Sequence, residues 1–286
     1  SVVSAACRKP PDMLLPRVLT ALVLLPLLLG AIFGLATAPL FLVLSVIGVL
    51  AAWEWCAFMG VEAKPAKAAY CLLMAAGLAA GWWFTAGASD ALWLASAALL
   101  WWVFAFVLVV RFPRSFPAGP WSVARMAPLG LLLIVSTLIT VAALHGQSNG
   151  PWRLMFMLFI VFAADVGAYL VGRNYGKRKL APAVSPGKSI EGALGGLVLV
   201  ALWAAAAGSY VFRIESLGEL ALLIAVSVFT AAVSIIGDLT ESLFKRLRGL
   251  KDSGSLLPGH GGFLDRIDSI LAAAPVFTLG VTLLGL

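Results

Sequence analysis

Long apolar segments alternate with short polar links along almost the whole chain. A helix of about 20 apolar residues crosses the hydrocarbon core of a bilayer, whereas barrel strands would be short segments of alternating polarity. The pattern therefore predicts an all-α polytopic membrane protein. We expect nine transmembrane helices, at about residues 14–35, 39–59, 68–87, 91–110, 126–146, 153–172, 191–212, 219–239 and 267–286.

The composition supports this prediction and excludes a soluble class. Hydrophobic residues make up 62% of the chain and charged residues only 12%, whereas soluble domains carry about a quarter charged residues. The net charge is +7. In a membrane protein such an excess is expected in cytoplasmic loops beside anionic lipid headgroups. It is therefore not evidence for a nucleic-acid partner.

The distribution of Lys and Arg predicts the orientation. If the N-terminus is cytoplasmic, only Arg153 and Arg213 lie on the outer side, and the other 18 of the 20 basic residues lie on the inner side. Cytoplasmic loops of membrane proteins carry such an excess. We therefore expect a cytoplasmic N-terminus, a C-terminus outside and both strongly charged loops on the cytoplasmic face.

The chain is expected to have three parts. Residues 1–13 precede the first apolar segment and have no apolar periodicity, so they are predicted to be an N-terminal extension. Residues 14–150 would form a scaffold of five helices. Residues 151–286 would form a catalytic region of four helices with two basic cytoplasmic loops. Within the scaffold, Glu54 lies in the second apolar segment, where a carboxylate is either functional or paired with a polar neighbour.

The strongest concentration of charge runs from residue 237 to residue 269. Asp238 and Glu241 are three residues apart at the end of one predicted helix, and Asp265 and Asp268 are three apart at the start of the next. Each pair shares a helix face. Convergent carboxylate oxygens suit Mg²⁺, and the basic residues and glycines between the pairs suit a polyphosphate. The alternative is a solvated charged loop with internal salt bridges.

A second polar segment begins with Asp165 in the sixth predicted span. Burial of a carboxylate there is costly unless it is paired or metal-bound, so Asp165 is either a site residue or bonded to a neighbouring helix. Downstream, Ser185, Lys188 and Ser189 precede the next span, where a helix N-terminus and a lysine favour a phosphate. The sequence is not a P-loop, because Pro182 stands where the first glycine should be. An ordinary basic juxtamembrane loop is the alternative.

The two segments together carry a family signature. The spaced pattern from Ser242 to Asp268 resembles that of phosphatidate cytidylyltransferases, also called CDP-diacylglycerol synthases. Asp165-x-Gly167-Ala168-Tyr169 and Ser185-Pro186-x-Lys188 are also similar to that family. The signature positions are Ser242, Lys245, Arg246, Lys251, Asp252, Gly254, Leu257, Pro258, His260, Gly261, Gly262, Asp265, Arg266 and Asp268.

The resemblance implies transfer of CMP from CTP to phosphatidic acid, giving CDP-diacylglycerol and pyrophosphate in phospholipid biosynthesis. It implies an active site on the cytoplasmic face of the inner membrane, Mg²⁺, a second cation (Mg²⁺ or K⁺) and a homodimer. The metal ligands would be Asp238, Asp265 and Asp268. Further catalytic residues would be Lys251, Asp252 and Asp165. Substrate-binding residues would be Ser185, Lys188, Ser242, Lys245, Arg246, His260, Gly261, Gly262, Arg266 and Arg173.

Two other functions are considered at this point. A CTP-using lipid kinase such as a polyprenol kinase would release CDP and leave a phosphorylated lipid. Against a transporter, the intramembrane charges are few, the dense charge lies in loops at one surface, and no inverted repeat is visible. The DG-x-x-AR pattern of CDP-alcohol phosphotransferases is absent from the sequence.

Overall fold

The computed structural model describes residues 14–85, 90–113, 121–254, 256 and 261–286, and it describes side chains from Leu22 onward. The predicted extension at residues 1–13 lies outside this range, and so does His260. Within the range the chain is predominantly helical. The helices are α1 (Leu14–Gly34), α2 (Thr37–Met59), α3 (Lys64–Phe84), α4 (Leu92–Arg111), α5 (Val123–His145), α6 (Gly150–Tyr175), α7 (Ile190–Val211), α8 (Leu217–Arg248) and α9 (Leu264–Leu283).

The helices agree closely with the predicted spans. Among the described residues, eight helices, α2 to α9, are long and apolar enough to cross a membrane, and α1 contributes an apolar stretch at Leu22–Gly34. The prediction of a helical multi-pass membrane protein is confirmed. The count of nine spans, the orientation and the division of the chain at residue 150 stay predictions.

The link between α6 and α7 departs from an all-α fold. It forms an antiparallel hairpin of β1 (Lys179–Ala181) and β2 (Ser185–Ser189), with Lys179 opposite Ser189. The Ser189 hydroxyl caps α7 by accepting a hydrogen bond from the Gly192 N–H. Glu191, in the first turn of α7, accepts hydrogen bonds from the backbone N–H groups of Lys177 and Arg178. The hairpin therefore enters α7 in a fixed direction.

Helix α8 is longer than the sequence pattern predicted. The predicted span ended at residue 239, but α8 continues to Arg248. Between Asp238 and Arg248 there is no glycine or proline to stop it, and Glu241 and Lys245 pair one turn apart. Gly249 ends the helix in the left-handed conformation, with φ of 69°. Much of the segment predicted as a loop is therefore a rigid helix end.

Close helix packing holds the charged ends in place. Helices α6 and α7 approach so closely that a Cβ on Gly196 would lie 2.5 Å from the Ala164 carbonyl oxygen. At the end of α8, Arg248 donates to the Phe58 carbonyl (2.6 Å) and to the Trp121 carbonyl (3.1 Å). These bonds tie α8 to the end of α2 and to the start of α5. The scaffold helices thus fix the position of the charged segment.

Candidate active site

An ion pair joins the two polar segments found in the sequence. The Lys188 ammonium on β2 contacts the Asp238 carboxylate on α8, and both side chains are half-buried. The Ser242 hydroxyl, one turn further along α8, donates to the other Asp238 oxygen over 3.4 Å. Residues that are 50 positions apart therefore form one polar centre. Its partial burial strengthens the attraction between the charges.

A second ion pair lies further along α8. Lys245 Nζ is 2.8 Å from Asp265 Oδ1 and 3.2 Å from Glu241 Oε1. Asp265 also accepts hydrogen bonds from the backbone N–H groups of Ser253 (3.0 Å) and Gly262 (2.9 Å). The carboxylate of Asp265 thus links α8, the connection between α8 and α9, and the first turn of α9.

Acidic side chains crowd the space between the two pairs. Asp268 lies one turn after Asp265 and interacts electrostatically with Asp238 and Glu241. Glu241 is buried; its Oε1 pairs with Lys245, and its Oε2 has no hydrogen-bond donor among the described residues. Burial of a carboxylate oxygen without a donor is costly. A cation bound in this space would lower that cost.

The acidic side chains at this site would offer carboxylate oxygens to a metal ion. Such oxygens suit a hard divalent cation such as Mg²⁺. In the described part of the chain, no three His, Cys, Asp or Glu side chains are already grouped as a metal site. Lysines neutralise Asp238 and Asp265 instead. Both oxygens of Asp265 already accept bonds, so metal binding there would require Lys245 to move.

A cavity of about 360 Å³ opens beside the Lys188–Asp238 pair, between α6, α7 and the hairpin. Asp165, Tyr169, Arg173 and Lys188 contribute its polar groups. Asp165 interacts electrostatically with Lys188 and Asp238. At the rim, Arg173 donates to the Tyr169 hydroxyl over 3.0 Å and is exposed. The cavity thus combines an apolar wall with two cationic side chains and one carboxylate.

Two predicted phosphate ligands lie at the edge of this centre. Ser185 begins β2, opposite Ala181, and is partly exposed. Arg246 is exposed on α8, and its Nε donates to the Val184 carbonyl over 3.3 Å. This bond fixes the hairpin to α8. Nearby, Arg178 forms a salt bridge of 3.0 Å with Glu191.

The remaining predicted residues lie around the connection from α8 to α9. Lys251 and Asp252 are exposed immediately after α8, and Arg266 is exposed on the first turn of α9. Gly261 has φ of 79°, a conformation that side chains rarely adopt. Its neighbour Gly262 donates to Asp265. Of these residues, Gly261 and Gly262 lie directly beside the Asp265 carboxylate of the second ion pair.

One buried carboxylate at the site was not among the predicted site residues. Glu54, on scaffold helix α2, is only 4% exposed and accepts a hydrogen bond of 3.0 Å from the Leu264 N–H. The only signal in the sequence was its position within an apolar segment. Of the two roles considered for it, pairing with a polar neighbour is what the structure has, and that neighbour is the start of α9.

Comparison with known proteins identifies the family. A model described as the cytidylyltransferase family matches residues 15–284. The phosphatidate cytidylyltransferase of Pseudomonas aeruginosa is 43% identical over 267 residues, which cover 93% of this chain and 96% of that protein. The phosphatidate cytidylyltransferase of Haemophilus influenzae is 39% identical, covering 93% of this chain and 98% of that protein. These matches confirm the resemblance found in the sequence, and the chain belongs to the cytidylyltransferase family.

Proposed function

We propose that this protein is a Mg²⁺-dependent phosphatidate cytidylyltransferase that transfers CMP from CTP to phosphatidic acid. The products would be CDP-diacylglycerol and pyrophosphate, as part of phospholipid biosynthesis. Support comes from family membership and from two relatives of that name that align with nearly the whole chain.

One structural observation carries the proposal. The Lys188–Asp238 pair lies between a cavity bounded by membrane helices and the charged ends of α8 and α9. A phosphate bound at the cavity would contact Lys188, while its acyl chains would stay beside the apolar helices. A nucleotide would approach from the other side, where Lys245 and Lys251 lie. The site therefore has a separate approach for each substrate.

The chemistry needs little proton transfer. The attacking oxygen belongs to a phosphate that is already anionic, so no strong general base is required. The main barrier is repulsion between the lipid phosphate and the triphosphate. Lys188 would hold the lipid phosphate, and Lys245 and Arg246 would contact the triphosphate. Fixed positive charges of this kind would lower the repulsion. The leaving pyrophosphate would be stabilised by the same basic side chains.

Asp238, Asp265 and Asp268 are the proposed Mg²⁺ ligands, and the Glu241 carboxylate interacts electrostatically with Asp268. When bound, the ion would neutralise phosphate charge and orient the oxygens of the nucleotide. A second cation, Mg²⁺ or K⁺, remains a proposal from the family resemblance.

We place the site on the cytoplasmic face of the inner membrane, because that is where the loop charge puts both polar segments. A homodimer is proposed from the resemblance alone. Labelling of single cysteines from each side of sealed vesicles tests the orientation, and Lys64 and Glu215 mark opposite faces in this proposal. Reaction of both positions from the same side would contradict it.

The activity is tested with purified protein, radiolabelled CTP, phosphatidic acid and Mg²⁺. We expect label in CDP-diacylglycerol, release of pyrophosphate, and loss of product when EDTA is added. Release of CDP with a phosphorylated lipid would indicate a lipid kinase instead. Solute movement across liposomes without CTP turnover would indicate a transporter.

A further inference from the structure

The structure contains a buried carboxylate from the scaffold that contacts the connection between α8 and α9. Glu54 Oε2 accepts a hydrogen bond of 3.0 Å from the Leu264 N–H and a longer one of 3.5 Å from the Ser253 hydroxyl. Ser253 and Leu264 are both buried. Helix α9 has no side-chain cap of its own at Phe263. Glu54 therefore satisfies a helix-start N–H from another helix.

The residues that contact Glu54 either bond to Asp265 or directly precede it in the chain. Ser253 gives its hydroxyl to Glu54 and its backbone N–H to Asp265. Leu264 binds Glu54 and directly precedes Asp265. Gly262 donates its N–H to Asp265, and its Cα packs against the Glu54 carboxylate. The connection is thus clamped between a scaffold carboxylate and a site carboxylate.

Two glycines of the signature fit around Glu54. A Cβ on Gly254 would meet three atoms of the Glu54 carboxyl end, and a Cβ on Gly262 would lie 2.6 Å from Glu54 Oε2. Neither glycine has the positive φ that only glycine tolerates well. Their small size is therefore explained by the carboxylate that packs against them.

We propose that Glu54 is a positioning residue for the transferase site. Its side chain holds Ser253, Gly262 and the start of α9, and these residues keep Asp265 in position. The expected changes in kcat rest on the proposed function. Glu54 itself would touch neither substrate. Its carboxylate oxygen acts as a hydrogen-bond acceptor, and its bulk sets the space in which the two glycines fit.

The first test compares full-length Glu54→Ala and Glu54→Gln. In Glu54→Ala we expect kcat for CDP-diacylglycerol formation to fall about 10-fold or more while KM for CTP changes less than about threefold. Gln keeps an oxygen that can accept from Leu264, so its kcat should stay within about threefold of the wild type. Glu62→Gln, an exposed carboxylate just beyond α2, is the matched control and should behave as wild type.

The second test is a double-mutant cycle with Gly254. Gly254→Ala should lower kcat in the wild type because the new methyl group meets Glu54. The same change should cost much less in the Glu54→Asp background, where the shorter side chain leaves room for it. Independent, multiplicative losses in the cycle would overturn the proposal. The cycle also applies if Glu54→Ala does not fold.

A readout that needs no turnover completes the test. Hydrogen exchange of the Ser253, Gly262 and Leu264 amides should be faster in Glu54→Ala than in the Glu62→Gln control. Wild-type kcat with unchanged exchange in Glu54→Ala would contradict the proposal, as would equal losses in Glu54→Ala and Glu54→Gln. If the wild type makes no CDP-diacylglycerol, the proposed function fails, and the exchange data alone decide whether Glu54 holds the connection.

Discussion

The two ends of the helical bundle both bury polar side chains, but in different ways. At the end near Asp238, carboxylates and lysines face one another, and Glu241 Oε2 has no hydrogen-bond donor among the described residues. At the opposite end, His145 bonds to the Thr37 hydroxyl (3.0 Å) and the Ile32 carbonyl (2.9 Å). The histidine ring thus has a partner at each nitrogen.

Arg153 completes the polar cluster at that opposite end. It donates to Gln147 Oε1 (2.8 Å) and to the Leu286 main chain (2.7 Å), and its guanidinium lies 4.7 Å from the centre of the Phe212 ring. The groups here mostly use backbone carbonyls and neutral side chains. Such bonds fix helix ends. The crowded carboxylates at the other end cost stability, as is typical of a site that binds ligands.

The comparison predicts its largest effect at Asp265. Asp265→Asn removes the charge that pairs with Lys245, and the new NH2 group must face either the Lys245 ammonium or the N–H groups of Ser253 and Gly262. We expect CDP-diacylglycerol formation to fall about 1,000-fold in protein that remains folded. Asp90→Asn, an exposed aspartate at the other end, is the control. Near-normal turnover in Asp265→Asn would remove Asp265 from the site.

The next largest effect is expected at Lys188. Lys188→Met keeps the length of the side chain but leaves Asp238 without its cation and the cavity without its main charge. We expect kcat/KM for phosphatidic acid to fall about 100-fold, with a smaller loss in Lys188→Arg. Kinetics at varied lipid mole fraction give the value. A normal kcat/KM for phosphatidic acid in Lys188→Met would place the lipid phosphate elsewhere.

At the opposite end the expected effect is on stability. His145→Ala removes two buried hydrogen bonds and should lower the free energy of unfolding by about 1–3 kcal/mol. Thermal unfolding in detergent should show a lower Tm, whereas turnover per folded molecule should match the wild type. A loss of turnover without a loss of stability would mean that the two ends are functionally coupled.

The smallest effect is expected for a cation outside both clusters. Lys64 is exposed at the start of α3, so Lys64→Ala should change kcat and KM less than about twofold. The same assay with labelled CTP measures this. A large loss would show that the site extends further along the cytoplasmic surface than proposed.

The spans were predictable because a bilayer selects helices by length and polarity alone. The hairpin was not, because strand β2 reads Ser-Pro-Gly-Lys-Ser and lacks any apolar alternation. The continuation of α8 was missed because the charged residues after Asp238 were interpreted as a loop. The residue types between Asp238 and Arg248 nevertheless permit a helix.

The signature placed most site residues near one another, since they are close in the chain. Glu54 could not be assigned to them in this way. It is 210 positions from Leu264, and a contact over that distance depends on how α2 packs in the bundle. The sequence showed only that a carboxylate in an apolar span needs a partner.

The length of α8 has a consequence for where the two substrates meet. Its 32 residues make a rod of about 48 Å, against a hydrocarbon layer of about 30 Å. Asp238 and Lys245 are two turns apart near its charged end, so one contact lies deeper than the other. With the inner contact at the depth of lipid phosphates, phosphatidic acid would react without leaving the bilayer and CTP without leaving water. Helix α8 would thus hold the lipid phosphate and the nucleotide together at the boundary between the bilayer and water.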